Sequence, residues 1–239
     1  MRHRGIARSR ALLSRAKFVL ASRLPQSVYW DLMGTFKAVP AVTSQCSTLA
    51  ESEDSGQHAV GLLQALGVVR RDTVALEIGS GLGRIARNLA PQVARVYGID
   101  VSRAMIRRAR RIGNPPNVEF VCVPGDSLER WHNKSLDLVY SFLVFQHLPR
   151  IKVEKYLTEG FRTLRPSGWI VFQVMIDETG DAEEPPDSHP YGLRKYTRDD
   201  VSALLTKAGF TATTTFEMDG SSDRMRRSGD IVFAAAKGP

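Results

Sequence analysis

The residues of this chain that could do chemistry gather around one short segment. In ALEIGSGLGRIARN, residues 75–88, Glu77 precedes three glycines at alternate positions, Gly79, Gly81 and Gly83. Glycines where an apolar run gives way to a helix-forming segment let backbone amides come close to a ligand, and the helix start behind them favours an anion. Asp100 closes a second apolar run, VYGIDVS, 21 residues after Gly79. A carboxylate at such a place can accept both hydroxyls of a ribose. Asp126 stands in VCVPGDSL and His147 in SLDLVYSFLVFQHLP.

The glycine spacing narrows the ligand. A dinucleotide fingerprint reads GxGxxG, its third glycine allowing close packing of helix on strand. Here Arg84 occupies that third position, so the spacing argues against a standard NAD site. The GxGxG turn still admits a close ligand, and a carboxylate would suit the helix start as well as a phosphate.

These residues need a scaffold, and the hydrophobic pattern describes one. Short apolar runs lie at 73–78, 96–100, 118–123, 136–141 and 169–176, with helix-period segments between them. That alternation predicts an α/β fold, a mostly parallel, doubly wound sheet with helices on both faces. Ser55 is expected to cap a helix to Leu66, where Gly67 stops it, and further helices are expected from Leu82 to Ala90, after Ser102, and after Pro149 to near Leu164. Thr197 and Asp200 form a capping box for a last helix ending at Gly209. Two β-rich runs, 211–218 and 231–236, bring the expected strands to seven. The acidic, proline-containing segment 177–190 is expected as a surface loop on the sheet's carboxyl edge.

Bulk properties exclude some classes. With 239 residues, 43% apolar and 24% charged, the composition is that of a globular protein, and no apolar run approaches the length of a bilayer span. The cysteines, Cys46 and Cys122, are too few for a disulfide framework, which points to a cytoplasmic setting. The net charge of +8 suggests nucleic acid until it is located. Residues 1–30 hold seven Arg/Lys and no acid, leaving 26 bases against 25 acids in the remainder, so the charge is an arm rather than a basic groove. The arm, residues 1–24, reads as a mobile tail, an amphipathic helix in weak contact with a membrane surface, or a targeting segment. The arginines at 103, 107, 108, 110 and 111 read as a solvated helix face.

The segment EIGSGLG resembles the first motif of class I S-adenosylmethionine-dependent methyltransferases, and the order of motifs carries the resemblance over roughly residues 55–239. It implies a Rossmann-like fold with S-adenosylmethionine at Glu77, Gly79, Ser80, Gly81 and Gly83. It assigns the ribose to Asp100, with Val101 beside it, and the adenine to Asp126 with Ser127 and Leu128 at the ring. Ser141, at the end of the fourth strand, is to lie under the methionine part. His147 is the histidine placed beside the expected methyl position. It is either a general base or a residue that caps and packs.

The resemblance implies methyl transfer to a small-molecule acceptor, O-methylation ahead of N-methylation, without a metal. The fourth strand ends in Tyr140-Ser141-Phe142 where metal-dependent members carry an acid. Cys122, inside a strand, reads as core rather than nucleophile. The acceptor pocket is expected from residues 25–56 and 177–196, with Gln146, Tyr191 and Tyr196 as candidate contacts and Tyr29, Trp30, Phe36, His189 and Arg194 nearby. The expected division is a basic arm and helical cap over 1–50 and a cofactor-binding domain over 51–239. N- or RNA methylation and a catalytically inactive binding module are the alternatives, with the charge distribution pointing away from nucleic acid. The sequence does not specify an oligomeric state.

Overall fold

Alternate residues of each apolar run face opposite sides of one sheet, and that alternation builds two cores. The computed structural model describes residues 24–42, 46–180, 184–217 and 230–239. The strands are β1 (Val74–Ile78), β2 (Arg95–Asp100), β3 (Val118–Cys122), β4 (Leu136–Ser141), β5 (Leu164–Ile176), β6 (Lys195–Tyr196), β7 (Ala212–Glu217) and β8 (Asp230–Ala236). Their order is β3-β2-β1-β4-β5-β8-β7, with the two-residue β6 added in parallel to β5. Among the described residues all neighbours run parallel except β8, which is antiparallel to both β5 and β7. The seven expected strands are present, and β6 is the addition.

Helices α1 (Gln26–Phe36), α2 (Ala38–Val42), α3 (Leu49–Ala65), α4 (Arg84–Leu89), α5 (Arg103–Ile112), α6 (Arg150–Thr163) and α7 (Arg198–Ala208) complete the described chain. Ala75, Leu138, Tyr140 and Val171 face α3, α4 and α5, in a core with Leu63, Ile85, Leu89 and Ile106. The alternate residues Leu76, Ile78, Val139, Ile170 and Phe172 face α6 and α7, packing with Val153, Leu157 and Leu205. Truncating any one of the buried Leu, Ile or Phe residues to Ala would cost about 2–5 kcal/mol.

Caps explain where helices begin. Ser102 caps α5 by accepting from the Met105 N–H at 3.1 Å, and Thr197 and Asp200 cap α7 reciprocally, as expected. The expected cap at Ser55 is corrected: Thr48 and Glu51 form the capping box of α3, and Ser55 lies inside the helix with its hydroxyl donating to the Ser52 carbonyl. The sequence T-L-A-E already held that signal. Helix α4 begins at Arg84, not Leu82, because Gly81 and Gly83 sit at φ +53° and +80°. Helix α6 runs straight into β5 at Leu164, and Ser167 turns with φ +61° within the strand.

One further expectation changes. The Cys122 thiol is exposed at the end of β3 rather than buried in the core. The five arginines of α5 are exposed, as expected, and two of them also bond neighbours: Arg108 donates to the Thr35 carbonyl and Arg110 to that of Phe120, tying α1 and β3 to the helix. The basic arm, residues 1–23, lies outside the described residues. No helix among the described residues is long and apolar enough to cross a membrane.

Candidate active site

The chain winds one way from β1 to β3 and the other way from β4 to β5, so a crevice opens beyond the carboxyl ends of β1 and β4, where doubly wound sheets hold their ligands. A cavity partly open to solvent lies there.

The glycine turn forms the floor. The N–H groups of Gly79 and Ser80 both donate to the Ile99 carbonyl at 2.8 Å, and Gly83 donates back to Ser80 at 2.7 Å. All three glycines have positive φ, between +53° and +80°. A Cβ on Gly79 would lie 2.3 Å from a Val144 methyl, closing the gap between the two strand ends.

Asp100 stands opposite. Its Oδ2 accepts the Gly81 N–H and its Oδ1 the Ser102 N–H, each at 2.8 Å. A carboxylate offers about four lone-pair positions, so after the backbone N–H groups of Gly81, Ser102 and Val101 it still has acceptor capacity for a hydroxyl. Burial raises its pKa to about 6 against the pull of those N–H groups, and the Asp31 carboxylate raises it further. Glu77, also on the wall, is pushed up to about 7 by burial, against the influence of Arg84, the Ala86 N–H and the Tyr140 hydroxyl. Its Oε2 accepts from Ala86 at 3.0 Å and from Tyr140 at 3.3 Å, so it caps α4 as well as lining the cavity.

Helix α1 closes the crevice from above. Gln26 and Trp30, four residues apart on one face, line the cavity, and Asp31 Oδ1 accepts from the Ser102 hydroxyl and the Ala104 N–H at 2.9 Å each. The cap is thus latched to the helix start that follows Asp100.

His147, in a 3-10 turn before α6, also lines the cavity. Its Nδ1 lies 3.2 Å from the Tyr191 carbonyl. A carbonyl only accepts, so this contact calls for a proton on Nδ1, while Gln146 Nε2 lies 3.5 Å from the His147 Nε2. The His147 carbonyl accepts from Gln26 and from Arg194, both at 3.2 Å, and the Arg194 N–H donates to the Gln146 carbonyl at 2.7 Å. Arg194 is wholly buried and holds the loop 184–194 to this turn.

Of the residues expected at the site, Glu77, Gly79, Ser80, Gly81, Asp100, Val101 and His147 meet on its wall. The rest do not. Gly83 serves packing, since a Cβ there would lie 2.1 Å from Phe120 Cζ. The Ser141 hydroxyl donates to the Ile78 carbonyl at 3.1 Å, leaving Phe142, Leu143 and Val144 to form the wall after β4. Asp126 pairs with Lys155 at 3.2 Å, Ser127 accepts from the Glu129 N–H in a turn, and Leu128 is wholly buried in the core; Gly125 alone of that loop reaches the cavity.

The expected acceptor contacts are displaced as well. Tyr196 is a core residue with Arg150 over its ring, Tyr191 stacks on Tyr29 at 4.8 Å, and the buried Gln146 stands behind His147, 3.5 Å from its Nε2. The expectation for Phe36 fails because it points outward. Sequence reasoning missed Gln26, Arg84, Lys152 and Tyr156. The i, i+4 spacing of Leu148, Lys152 and Tyr156, all on the cavity wall, was the available signal for the last two.

An α/β sheet with its cavity at the switch point, a GxGxG floor and an acid at the end of β2 defines a Rossmann-like cofactor-binding domain. Residues 76–172 match the methyltransferase domain family. Phosphoethanolamine N-methyltransferase 3 from Arabidopsis thaliana is 29% identical over 46% of this chain and 23% of its own length. Malonyl-[acyl-carrier protein] O-methyltransferase from Geobacter sulfurreducens is 28% identical over 60% of this chain and 58% of its own. The chain therefore spans less than two thirds of either relative. The crystal structure of an S-adenosylmethionine-dependent methyltransferase from Mesorhizobium loti superposes with a TM-score of 0.60 at 16% identity, covering 74% of this chain and 98% of that one. Residues 76–172 thus form a methyltransferase domain with the class I Rossmann-like fold, for which S-adenosylmethionine is the methyl donor.

The cavity fits that group on its own terms. The Asp100 carboxylate lines it, the Ser80 hydroxyl is buried on its wall with no hydrogen-bond partner, and the glycine turn has no side chain to fill the space.

Proposed function

We propose that the protein methylates a small-molecule acceptor at a hydroxyl oxygen, with His147 as general base. S-adenosylmethionine supplies an activated methyl group on a sulfonium. Asp100 would hold its ribose hydroxyls, with Val101 beside them, and the Gly79-Ser80-Gly81 turn its methionine end. Gly125 supports an adenine position at the β3 loop, where the neighbouring Asp126 is turned toward Lys155. Glu77 would add negative charge near the cationic end.

The observation that supports the oxygen reading is the position of His147 on the cavity wall, its Nδ1 3.2 Å from the Tyr191 carbonyl. An alcohol must lose a proton as it attacks, and the His147 imidazole would take it on Nε2 as the acceptor displaces the Gln146 amide 3.5 Å away. Gln26 and Arg194 act as positioning residues by gripping the His147 carbonyl. Trp30 and Phe142 supply apolar walls that exclude water and align the acceptor. The relatives include both an N- and an O-methyltransferase, so the atom methylated is the point to test.

The experiment is incubation of metabolite extract with labelled methyl donor and identification of the labelled product, followed by His147→Ala. The expected result is a labelled methyl ether, and turnover lowered about 100-fold or more with cofactor affinity unchanged. A labelled amine, or near wild-type turnover in the variant, would refute the oxygen reading.

A further inference from the structure

Helix α1 has two occupied sides and one bare one. Gln26 and Trp30 face the cavity, and Asp31 holds the helix to α5. On the outer side Val28, Leu32 and Phe36, spaced four apart, form an apolar stripe, 43%, 44% and 77% exposed. Aligned exposed apolar side chains of this kind mark a contact surface. At its carboxyl end Phe36 stands at an open groove lined also by Leu49 and Ile112, themselves 39% and 37% exposed. Lys37, Arg108 and Arg111 line the same groove, and among the described residues no acid does.

We propose that this face docks on an anionic lipid bilayer, the stripe entering the headgroup boundary and the three cations lying among the lipid phosphates. Both halves of the surface bear on the choice of partner. An apolar helical stripe gains free energy by leaving water for the acyl boundary, and cations beside it gain only where the surface is negative. Charge complementarity, with three cations and, among the described residues, no acid in the groove, selects an anionic surface over a neutral one. The attraction weakens with salt because the cations are partly solvated. The surface lies on the side of α1 away from the cavity, so it is separate from the proposed chemistry.

The test is co-sedimentation of the full chain with vesicles of phosphatidylcholine containing phosphatidylglycerol, against vesicles of phosphatidylcholine alone. Wild type should sediment with the anionic vesicles and be released by salt. Lys37→Gln with Arg111→Gln should lower the partition coefficient by about 25-fold, roughly fivefold for each cation. Leu32→Ser with Phe36→Ser should remove most of the binding while the thermal midpoint and cofactor affinity stay as in wild type. The basic segment 1–23 is intact in all these proteins, so variants that bind as wild type does would assign the binding to that arm and overturn the proposal. Equal binding to neutral vesicles, or no binding to either, would overturn it too.

Discussion

Replacing Asp100 by Asn removes one acceptor and the charge from the site while keeping the shape. The carboxylate now satisfies Gly81 N–H with one oxygen and Ser102 N–H with the other, each at 2.8 Å. An amide has one oxygen, so one of those N–H groups would face an NH₂ donor. Leaving a buried donor unsatisfied lowers stability by about 1–3 kcal/mol in the free and bound protein alike, whereas losing charge-assisted bonds to the ribose hydroxyls costs about 1.5–3 kcal/mol of binding. Cofactor Kd should rise by roughly 10- to 100-fold. The pH dependence is the sharper test. With its pKa raised to about 6, Asp100 is largely protonated at pH 5 and largely ionised at pH 7. If the ionised form binds the ribose, wild-type affinity should weaken roughly tenfold on going from pH 7 to pH 5 through Asp100, and Asp100→Asn should remove that factor and leave only what Glu77, titrating near 7, contributes. Titration calorimetry with S-adenosylhomocysteine over that range measures both quantities. Unchanged affinity in the variant, or the same pH dependence in both proteins, would refute the ribose assignment.

Other expected outcomes concern the elements that hold the site. Gly83→Ala should lower stability by about 2–4 kcal/mol in chemical denaturation, because a Cβ would strike Phe120 at 2.1 Å on a backbone with φ +80°. Glu77 binds its proton more tightly in the fold, with a pKa near 7, than the unfolded chain does. Its contribution to stability is therefore full below pH 4.5 and lost as pH rises through about 7, and Glu77→Gln should flatten the denaturation midpoint over that window. Asp31→Ala deletes acceptors for Ser102 and Ala104 and should speed hydrogen exchange in α1 while that in β1 and β4 is unchanged.

The architecture was legible because period-two apolar runs, capping boxes and glycine turns are local signals. The strand at 74–78, the caps at Ser102 and Thr197, and the acid ending β2 follow from neighbours within a few residues. Glu77, Asp100 and the first two glycines reach the cavity because both strand ends are pinned by the parallel sheet order. The sequence alone thus determined the fold class, the cofactor turn and the candidate base. Side-chain direction was decided elsewhere. Whether Ser141 met the cavity or the Ile78 carbonyl depended on the neighbouring strand, and whether Asp126 turned inward or toward Lys155 depended on α6. Tyr196 was read as an acceptor contact because aromatic residues serve packing and binding alike, and β6 placed it in the core. The docking of α1 through Asp31, the burial of Arg194 behind His147 and the contact of His147 with the Tyr191 carbonyl all join residues more than 40 positions apart. Contacts of that separation leave no periodicity in the chain, so only the folded structure decides them.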